Sequence, residues 1–397
     1  MERLDMAERK AVTKVMALRY RRSAKVEKAK MLDELVALTG WNRDYARRAL
    51  RRAATAPSLP RGSRRKRKTR RARPPIYDDE VMGVLRYLWV ILDFACGKRL
   101  SAVMAEMLDA LERHGEINPS PELRSKLLAI SPATIDRRLA PDRRRMQLKG
   151  RSGTKPGSLL KGQIPIKTFS DWDDTSPGFF QADLVGHDGG NTAGIFAQTL
   201  TLTDVASGWT EPRALKNKAR RWVIEAIDEI KAGLPFALLG IDSDNGSEFI
   251  NAHLLSYCED REITFTRGRP YRKNDSAHVE QKNWAVVRQA VGYARYETDE
   301  ELAVLAELYG HLRLLTNFFC PQAKLVSKSR EGARVIRRHD RPTTPYRRLL
   351  DSAVLTKVQV RQLSALYRNL NPAQLRRDVA HCQRRLRELT KAKAQIA

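Results

Sequence analysis

The stretch from residue 177 to 291 constrains this chain more than any other, because its apolar period switches from two to about 3.6 and back several times. "PGFFQADLVGHD" alternates, with Phe180, Ala182 and Leu184 on one side and Gln181, Asp183 and Val185 on the other, as a strand requires. "GIFAQTLTLTDVASGWTEPRAL" reads as two further strands joined by a turn at Ala206-Ser207-Gly208. "KARRWVIEAIDEIKAG" then carries Val223, Ile224, Ile227 and Ile230 at helical spacing. "FALLGIDSD" is a continuous apolar run of the kind buried at a sheet centre. "SEFINAHLLSYCEDR" follows as a helix, "ITFTRG" as a strand, and "DSAHVEQKNWAVVRQAV" as a helix capped at Asn274, Asp275 or Ser276. Three strands followed by alternating helices and strands imply an α/β fold whose mixed sheet is covered on both faces.

Two carboxylates stand where that pattern makes them conspicuous. Asp183 projects from the less apolar side of the first strand, and the central apolar run ends abruptly in "DSDNGSEF". Bare acids at a strand end need compensating cations, yet the chain as a whole is strongly basic. Its 397 residues carry 74 Lys and Arg against 46 Asp and Glu, a formal charge of +28. That surplus exceeds what solubility asks for and points to a polyanionic partner, nucleic acid first. No run of about 18 uncharged apolar residues and no charged-then-apolar leader is present, so the expectation is a protein of the bacterial cytoplasm, associated with the nucleoid, and no membrane partner. Cys96, Cys258, Cys320 and Cys382 lie far apart without a C-x-x-C pair, which suits a reducing compartment and argues against a cysteine zinc site.

The flanks divide by charge and periodicity. Residues 1–60 contain a helix with Met31, Leu32, Leu35, Val36 and Leu38, a break at Thr39-Gly40, and a second helix with Tyr45, Ala46, Ala49 and Leu50. Arg43, Arg47, Arg48 and Arg51 load the second helix, the pattern of a helix-turn-helix that lays one helix along DNA, or of a small bundle with a solvated basic face. Residues 61–75, "RGSRRKRKTRRARPP", are a basic linker in which like charges repel and nothing apolar nucleates a core. Residues 76–148 read as a second helical unit of helix-turn-helix type, ending in a helix capped at Ser131 and stopped by Pro141. Residues 149–170 are a second linker, 171–320 the α/β core, 321–345 a basic extended segment suited to tracking flanking DNA, and 346–397 a C-terminal helical tail. In the tail Leu375, Val379, Cys382, Leu386 and Leu389 form a heptad-like stripe that either binds a partner or closes on its own domain.

The order Asp183, Asp244, Glu280, with "QAD", "DVASGWTE", "DSDNGSEF" and "PYRKNDSAHVEQKN" around it, resembles the signature of the DDE transposase and retroviral integrase superfamily. The tail "NFFCPQAKLVSKSREGARVIRRHDRPTTPYRRLL" further resembles bacterial insertion-sequence members. The resemblance implies a ribonuclease H-like five-stranded mixed sheet with flanking helices. It also implies catalytic and metal-binding roles for Asp183, Asp244 and Glu280, which would hold two Mg²⁺ ions, with Mn²⁺ as a substitute. By the same resemblance Asn283, one turn beyond Glu280, touches DNA, although a structural hydrogen bond is an equal reading. Asn245, ahead of Gly246, sits in a turn that lets backbone approach substrate, or in an ordinary loop. Lys282, Arg272, Lys273 and Arg288 flank the site as phosphate contacts or as solvated charge. Asp242, Asp204, Glu248, Asp188, Asp171, Asp173 and Asp174 are read as structural acids, and His187 as a hydrogen-bonded residue near the site. The retroviral N-terminal zinc module has no counterpart, since residues 1–95 contain neither His nor Cys.

The chemistry accounts for the residue types. Cleaving and joining phosphodiesters are in-line displacements at phosphorus, and paired hard cations on carboxylate oxygens stabilise both the attacking and the departing oxygen. The expected protein is a transposase that binds element ends and target duplex as a homo-oligomer, frees 3′-hydroxyls and transfers them. The alternatives are a non-catalytic DNA-binding repressor or domesticated factor on the same fold, and a ribonuclease H-like nuclease that only hydrolyses.

Overall fold

Strand and helix periods resolve, in the computed structural model, into two units, residues 1–74 and 75–397; the structure describes residues 4–54, 76–144, 176–243, 252–267, 282–331 and 334–396. In the first unit, α1 (Met6–Arg22), α2 (Lys25–Thr39) and α3 (Arg43–Ala54) close around Ala17, Leu32, Leu35, Ala46 and Leu50. Asp5 caps α1 through Ala7 and Glu8 N–H at 2.7 Å each, and Glu8 returns a bond to the Asp5 N–H. Gly40, at φ +66°, ends α2 in the left-handed conformation that favours glycine. The break at Thr39-Gly40 is where the sequence places it. The α1 helix is an addition, and its buried residues, Thr13 and Ala17, are too small and few to draw an apolar stripe.

The second unit is built on a five-stranded sheet of order β3-β2-β1-β4-β5, comprising β1 (Phe179–Gly186), β2 (Gln198–Asp204), β3 (Thr210–Leu215), β4 (Gly240–Ser243) and β5 (Thr264–Arg267). The first three strands run antiparallel in sequence order, and β4 lies parallel to both β1 and β5. The fold is therefore mixed α/β, as the alternating periods require. "FALLGIDSD" contributes only four residues to β4; Phe236 and Leu238 are buried ahead of it. The β2–β3 turn is organised by Asp204, which accepts from Ser207 N–H at 2.6 Å, Ser207 Oγ at 2.5 Å and Gly178 N–H at 2.8 Å. Burial pushes its carboxyl pKa up.

Helix α9 (Arg220–Gly233) buries Val223, Ala226, Ile227 and Ile230, and α10 (Ala252–Asp260) buries Leu254, Tyr257 and Cys258. The residues proposed to cap the next helix lie outside those described. Its described end departs from the expected α-helix: Lys282 leads into a π-helical turn, Asn283–Arg288, and then α11 (Gln289–Val291). The wider turn keeps adjacent Val286 and Val287 buried together.

Helix α12 (Asp299–Phe319) crosses the sheet beside β3, where Asn317 accepts from the Thr210 N–H at 2.8 Å and donates to its carbonyl at 2.9 Å. Within the segment expected to be basic and extended, β6 (Leu325–Glu331) and β7 (Arg334–His339) pair as a hairpin. The tail forms α13 (Pro345–Asp351), α14 (Lys357–Asn369) and α15 (Pro372–Ile396). Val379, Cys382 and Leu386 of its stripe are buried against α12, so the stripe closes on its own chain.

Residues 79–144 form α4 (Asp79–Ile91), α5 (Gly97–Ala102), α6 (Met104–Arg113), α7 (Pro121–Ala129) and α8 (Pro132–Arg144). They share one apolar cluster with the tail and are tied to it by Arg347–Glu106 (3.0 Å), Arg376–Asp93 (2.8 Å) and Arg377–Glu116 (2.6 Å). Gly97 lets α5 and α8 meet, since a Cβ there would lie 2.1 Å from the Pro132 carbonyl. The expectation that Pro141 stops α8 is corrected: the helix runs through it to Arg144. Proline costs that turn a backbone bond, and Asp142–Arg86 at 3.0 Å, from α4, and Arg143–Asp136 at 3.1 Å, within α8 itself, anchor the turn.

Candidate active site

Asp183 sits in the middle of the central β1 strand, one residue past the point where its pairing with β4 ends: Thr201 on β2 faces it, and Ala182 beside it pairs with Ser243, the last residue of β4. One carboxylate oxygen accepts from the Leu184 N–H at 2.7 Å. The other accepts from Asn283 Nδ2 at 2.5 Å. Residues 100 apart in sequence thus meet across the gap between β1 and the π-helical turn. Asn283 Oδ1 is buried and has no hydrogen-bond partner among the described residues. A buried orphan carbonyl oxygen is costly, and here it stands beside a carboxylate, so both are hard oxygen donors of the kind that suit Mg²⁺.

Neighbouring acids resolve into structural roles. Asp242 pairs in register with Gln181, and so shares a sheet face with Asp183; it is 1% exposed and accepts from Thr266 Oγ1 at 2.7 Å. The Asp188 carboxylate accepts from the Gly190 N–H at 3.0 Å, and its backbone forms an isolated antiparallel β-bridge with that of Arg295. His187 is fully buried, with Nε2 and Thr199 Oγ1 at 2.7 Å and Thr199 Oγ1 in turn 2.7 Å from the Tyr309 hydroxyl. Burial pushes the imidazole pKa down to about 3, which keeps it neutral.

The flanking cations differ among themselves. Lys282 is 7% exposed instead of solvated, and burial, reinforced by Arg99, Lys324 and Arg348, pushes its ammonium down to about 7. Arg288 braces the fold, donating to the Gly186 carbonyl at 2.9 Å and the Gly292 carbonyl at 3.3 Å. Asp244, Glu280, Asn245, Arg272 and Lys273, with Glu248, Asp171, Asp173 and Asp174, lie outside the described residues. Among the described residues no three His, Cys, Asp or Glu side chains converge as metal ligands.

In the first unit, Arg43 and Arg48 are exposed and Arg47 half-buried on α3. Arg43 pairs with Asp33, and Arg47 with Asp44 at 3.0 Å. Such pairs are worth about 0–1 kcal/mol each, so a phosphate displaces them at little cost. Arg51 is also exposed on the same helix. No helix among the described residues is long and apolar enough to cross a membrane.

Two features of the site escaped the sequence. Thr266 carries no signal beyond strand parity, and nothing in "QKNW" marks Lys282 as buried.

The chain is 40% identical over 348 residues to the uncharacterized protein y4rM of Sinorhizobium fredii, a match covering 87% of this chain and 96% of that one. No protein-family model matches. Among solved structures, similarity extends to the catalytic core domain of BIV integrase, at 19% identity and a TM-score of 0.29, over 44% of this chain and 95% of that one. The HTLV-2 integrase catalytic core domain in complex with magnesium, in its dimeric form, matches at 16% identity and a TM-score of 0.28, over 37% of this chain and 91% of that one.

Proposed function

The chain belongs to the same family as the Sinorhizobium fredii protein y4rM, and we propose that it is a DNA transposase of the DDE type with a ribonuclease H-like core, acting through Asp183, Asp244 and Glu280. The observation that carries this reading is the Asn283–Asp183 hydrogen bond taken with the β1–β4 register. Ser243, which precedes Asp244 in sequence, pairs with Ala182, which precedes Asp183. Glu280 precedes Asn283 by three residues in sequence. The described sequence neighbours of the other two acids, Ser243 and Asn283, both lie against the Asp183 stretch of β1, which supports the reading that the three act together.

Asp183 and the orphaned Asn283 Oδ1 are oxygen donors that fit Mg²⁺, and Asp183, Asp244 and Glu280 would hold it. Bound there, Mg²⁺ stabilises charge on the attacking and departing oxygens of an in-line displacement at phosphorus. Asn283 orients the Asp183 carboxylate by donating to it, and β1, paired on both sides, keeps that carboxylate from moving with the loops around it. Lys282, buried and pushed down to about 7 beside Arg99, Lys324 and Arg348, supports the turn that carries Asn283. In cleavage a water, and in strand transfer a DNA 3′-hydroxyl, attacks the phosphorus and displaces the 3′-oxygen of the strand that is cut, without a covalent protein intermediate. Asn245, Arg272 and Lys273 contact the DNA backbone, and Arg43, Arg47, Arg48 and Arg51 of α3 read or grip the element ends. Holding two ends and a target duplex together requires a homo-oligomer on DNA.

The test is nicking and strand transfer with candidate element ends in Mg²⁺, comparing the native chain with Asp183→Asn and Asp244→Asn. Joining by the native chain alone supports the proposal. Equal joining by all three refutes the assignment, and tight end binding with no joining by any of them selects the repressor reading.

A further inference from the structure

The β6–β7 hairpin, clamped at its base and cationic along its arm, is an interaction surface that the carboxylate site does not use. Between Lys324 and His339 the sequence holds Lys324, Lys328, Arg330, Arg334, Arg337 and Arg338 against a single acid, Glu331. The register places positions 328, 330, 335 and 337 on one face and 327, 329, 334, 336 and 338 on the other, so cationic positions occur on both. A ribbon that packed one face on a core would segregate an apolar side. This one does not: Val326 and Val335 are 69% and 43% exposed, and Arg337, Arg338 and His339 are exposed as well.

An isolated two-stranded hairpin is marginally stable in water, and the base of this one is fastened. Lys324 N–H donates to Asp340 Oδ1 at 2.6 Å, and Asp340 N–H donates back to the Lys324 carbonyl at 2.9 Å. Arg348 grips the same carboxylate at 2.7 Å and the Gln322 carbonyl at 2.9 Å. The Lys324 ammonium donates to the Val205 and Ala206 carbonyls in the β2–β3 turn, and Gln322 bridges Thr343. The arm is thereby anchored to the sheet that carries Asp183.

We infer that the β6–β7 ribbon is a groove-entering arm that grips double-stranded DNA through phosphates on both of its sides. The dimensions agree. Seven residues of strand reach about 23 Å at about 3.3 Å per residue, two strands stand about 4.8 Å apart, and the major groove, about 12 Å wide, admits a two-stranded ribbon. Cations on both faces meet the two phosphate walls of a groove, whereas a one-sided patch meets one. The inference rests on the transposase reading in that both take duplex DNA as substrate, but it places the binding surface apart from the carboxylates.

The test uses the full chain and a mixed-sequence DNA duplex. Arg337→Gln with Arg338→Gln should reduce the slope of log affinity against log salt by about 1.8, at about 0.9 for each phosphate left unneutralised, while Arg337→Lys with Arg338→Lys keeps it. A photo-crosslinking residue at Val335 should attach to the duplex. An unchanged slope in the Gln variant, thermal unfolding being native-like, overturns the inference, as does a bound protein whose position 335 crosslinks only to RNA or protein. Crosslinking is also read in Asp183→Asn. Nicking is read in parallel on candidate element ends in Mg²⁺: duplex attachment with no nicking of those ends by the native chain upholds the arm and refutes the transposase, and nicking without attachment does the reverse.

Discussion

Asn283→Ala deletes the amide that donates to Asp183 at 2.5 Å and leaves β1 and its pairing intact. A hydrogen bond to a charged group contributes about 1.5–3 kcal/mol, and each 1.36 kcal/mol is about tenfold, so the carboxylate's orientation is worth a factor of about 10–150. An independent route, the loss of a residue that orients a metal ligand, gives about 10–100-fold in metal affinity or activity. The assay is the rate of nicking of an element end as Mg²⁺ is raised. The expected result is a midpoint displaced upward by about 10–100-fold, with the rate largely recovered at saturating Mg²⁺. Asp183→Asn, which removes a ligand and not its support, should show no such recovery. A purely structural Asn283 would lower the unfolding temperature and leave the midpoint alone. An unchanged midpoint in a folded Asn283→Ala protein refutes the reasoning.

Asn317→Leu strands both backbone groups of Thr210 in the core; at about 1–3 kcal/mol for each unsatisfied group, denaturant unfolding should show a loss of about 2–6 kcal/mol. Hydrogen bonding from Arg377 holds the Glu116 carboxyl at about 2, below its ordinary 4.5. That depressed value means the stabilisation is present above pH 4.5 and lost as pH falls toward 2; the difference between native and Glu116→Gln unfolding should vanish over that window. His187, held neutral by burial with a pKa of about 3, should show no imidazole titration by NMR near neutral pH. Arg48→Ala with Arg51→Ala should weaken binding of element ends and reduce the salt slope by about 0.9 for each phosphate that the two guanidinium groups neutralise, measured by fluorescence anisotropy.

Local period and punctuation already specified much of the molecule. Strict alternation around Asp183 specified β1, since a strand exposes opposite faces at each residue, and Gly40 specified the end of α2 because left-handed backbone there excludes most side chains. The helices on either side of that glycine and the mixed sheet follow from similar short-range rules. Other features depend on what lies opposite, and no local rule supplies that. Pro141 is tolerated because Arg86 and Asp136, outside its own turn, hold the residues beside it. The segment after β5 becomes π-helical where its pattern reads as α, and the basic stretch read only as extended pairs with itself as a hairpin fastened by Asp340 and Arg348. Lys282 looks like any surface lysine until the chain around it desolvates it.

The same division runs through the site. Composition and strand parity single out Asp183 as an acid on the less apolar side of a central strand, because charge and side-chain direction are properties of short segments. Only the tertiary structure brings Asn283 against it, sets Asp242 on the same sheet face bonded to Thr266, and leaves Asn283 Oδ1 unpartnered among the described residues. Those outcomes require chain closure over about a hundred residues, and closure is decided by the packing of the whole sheet, not by any window of sequence.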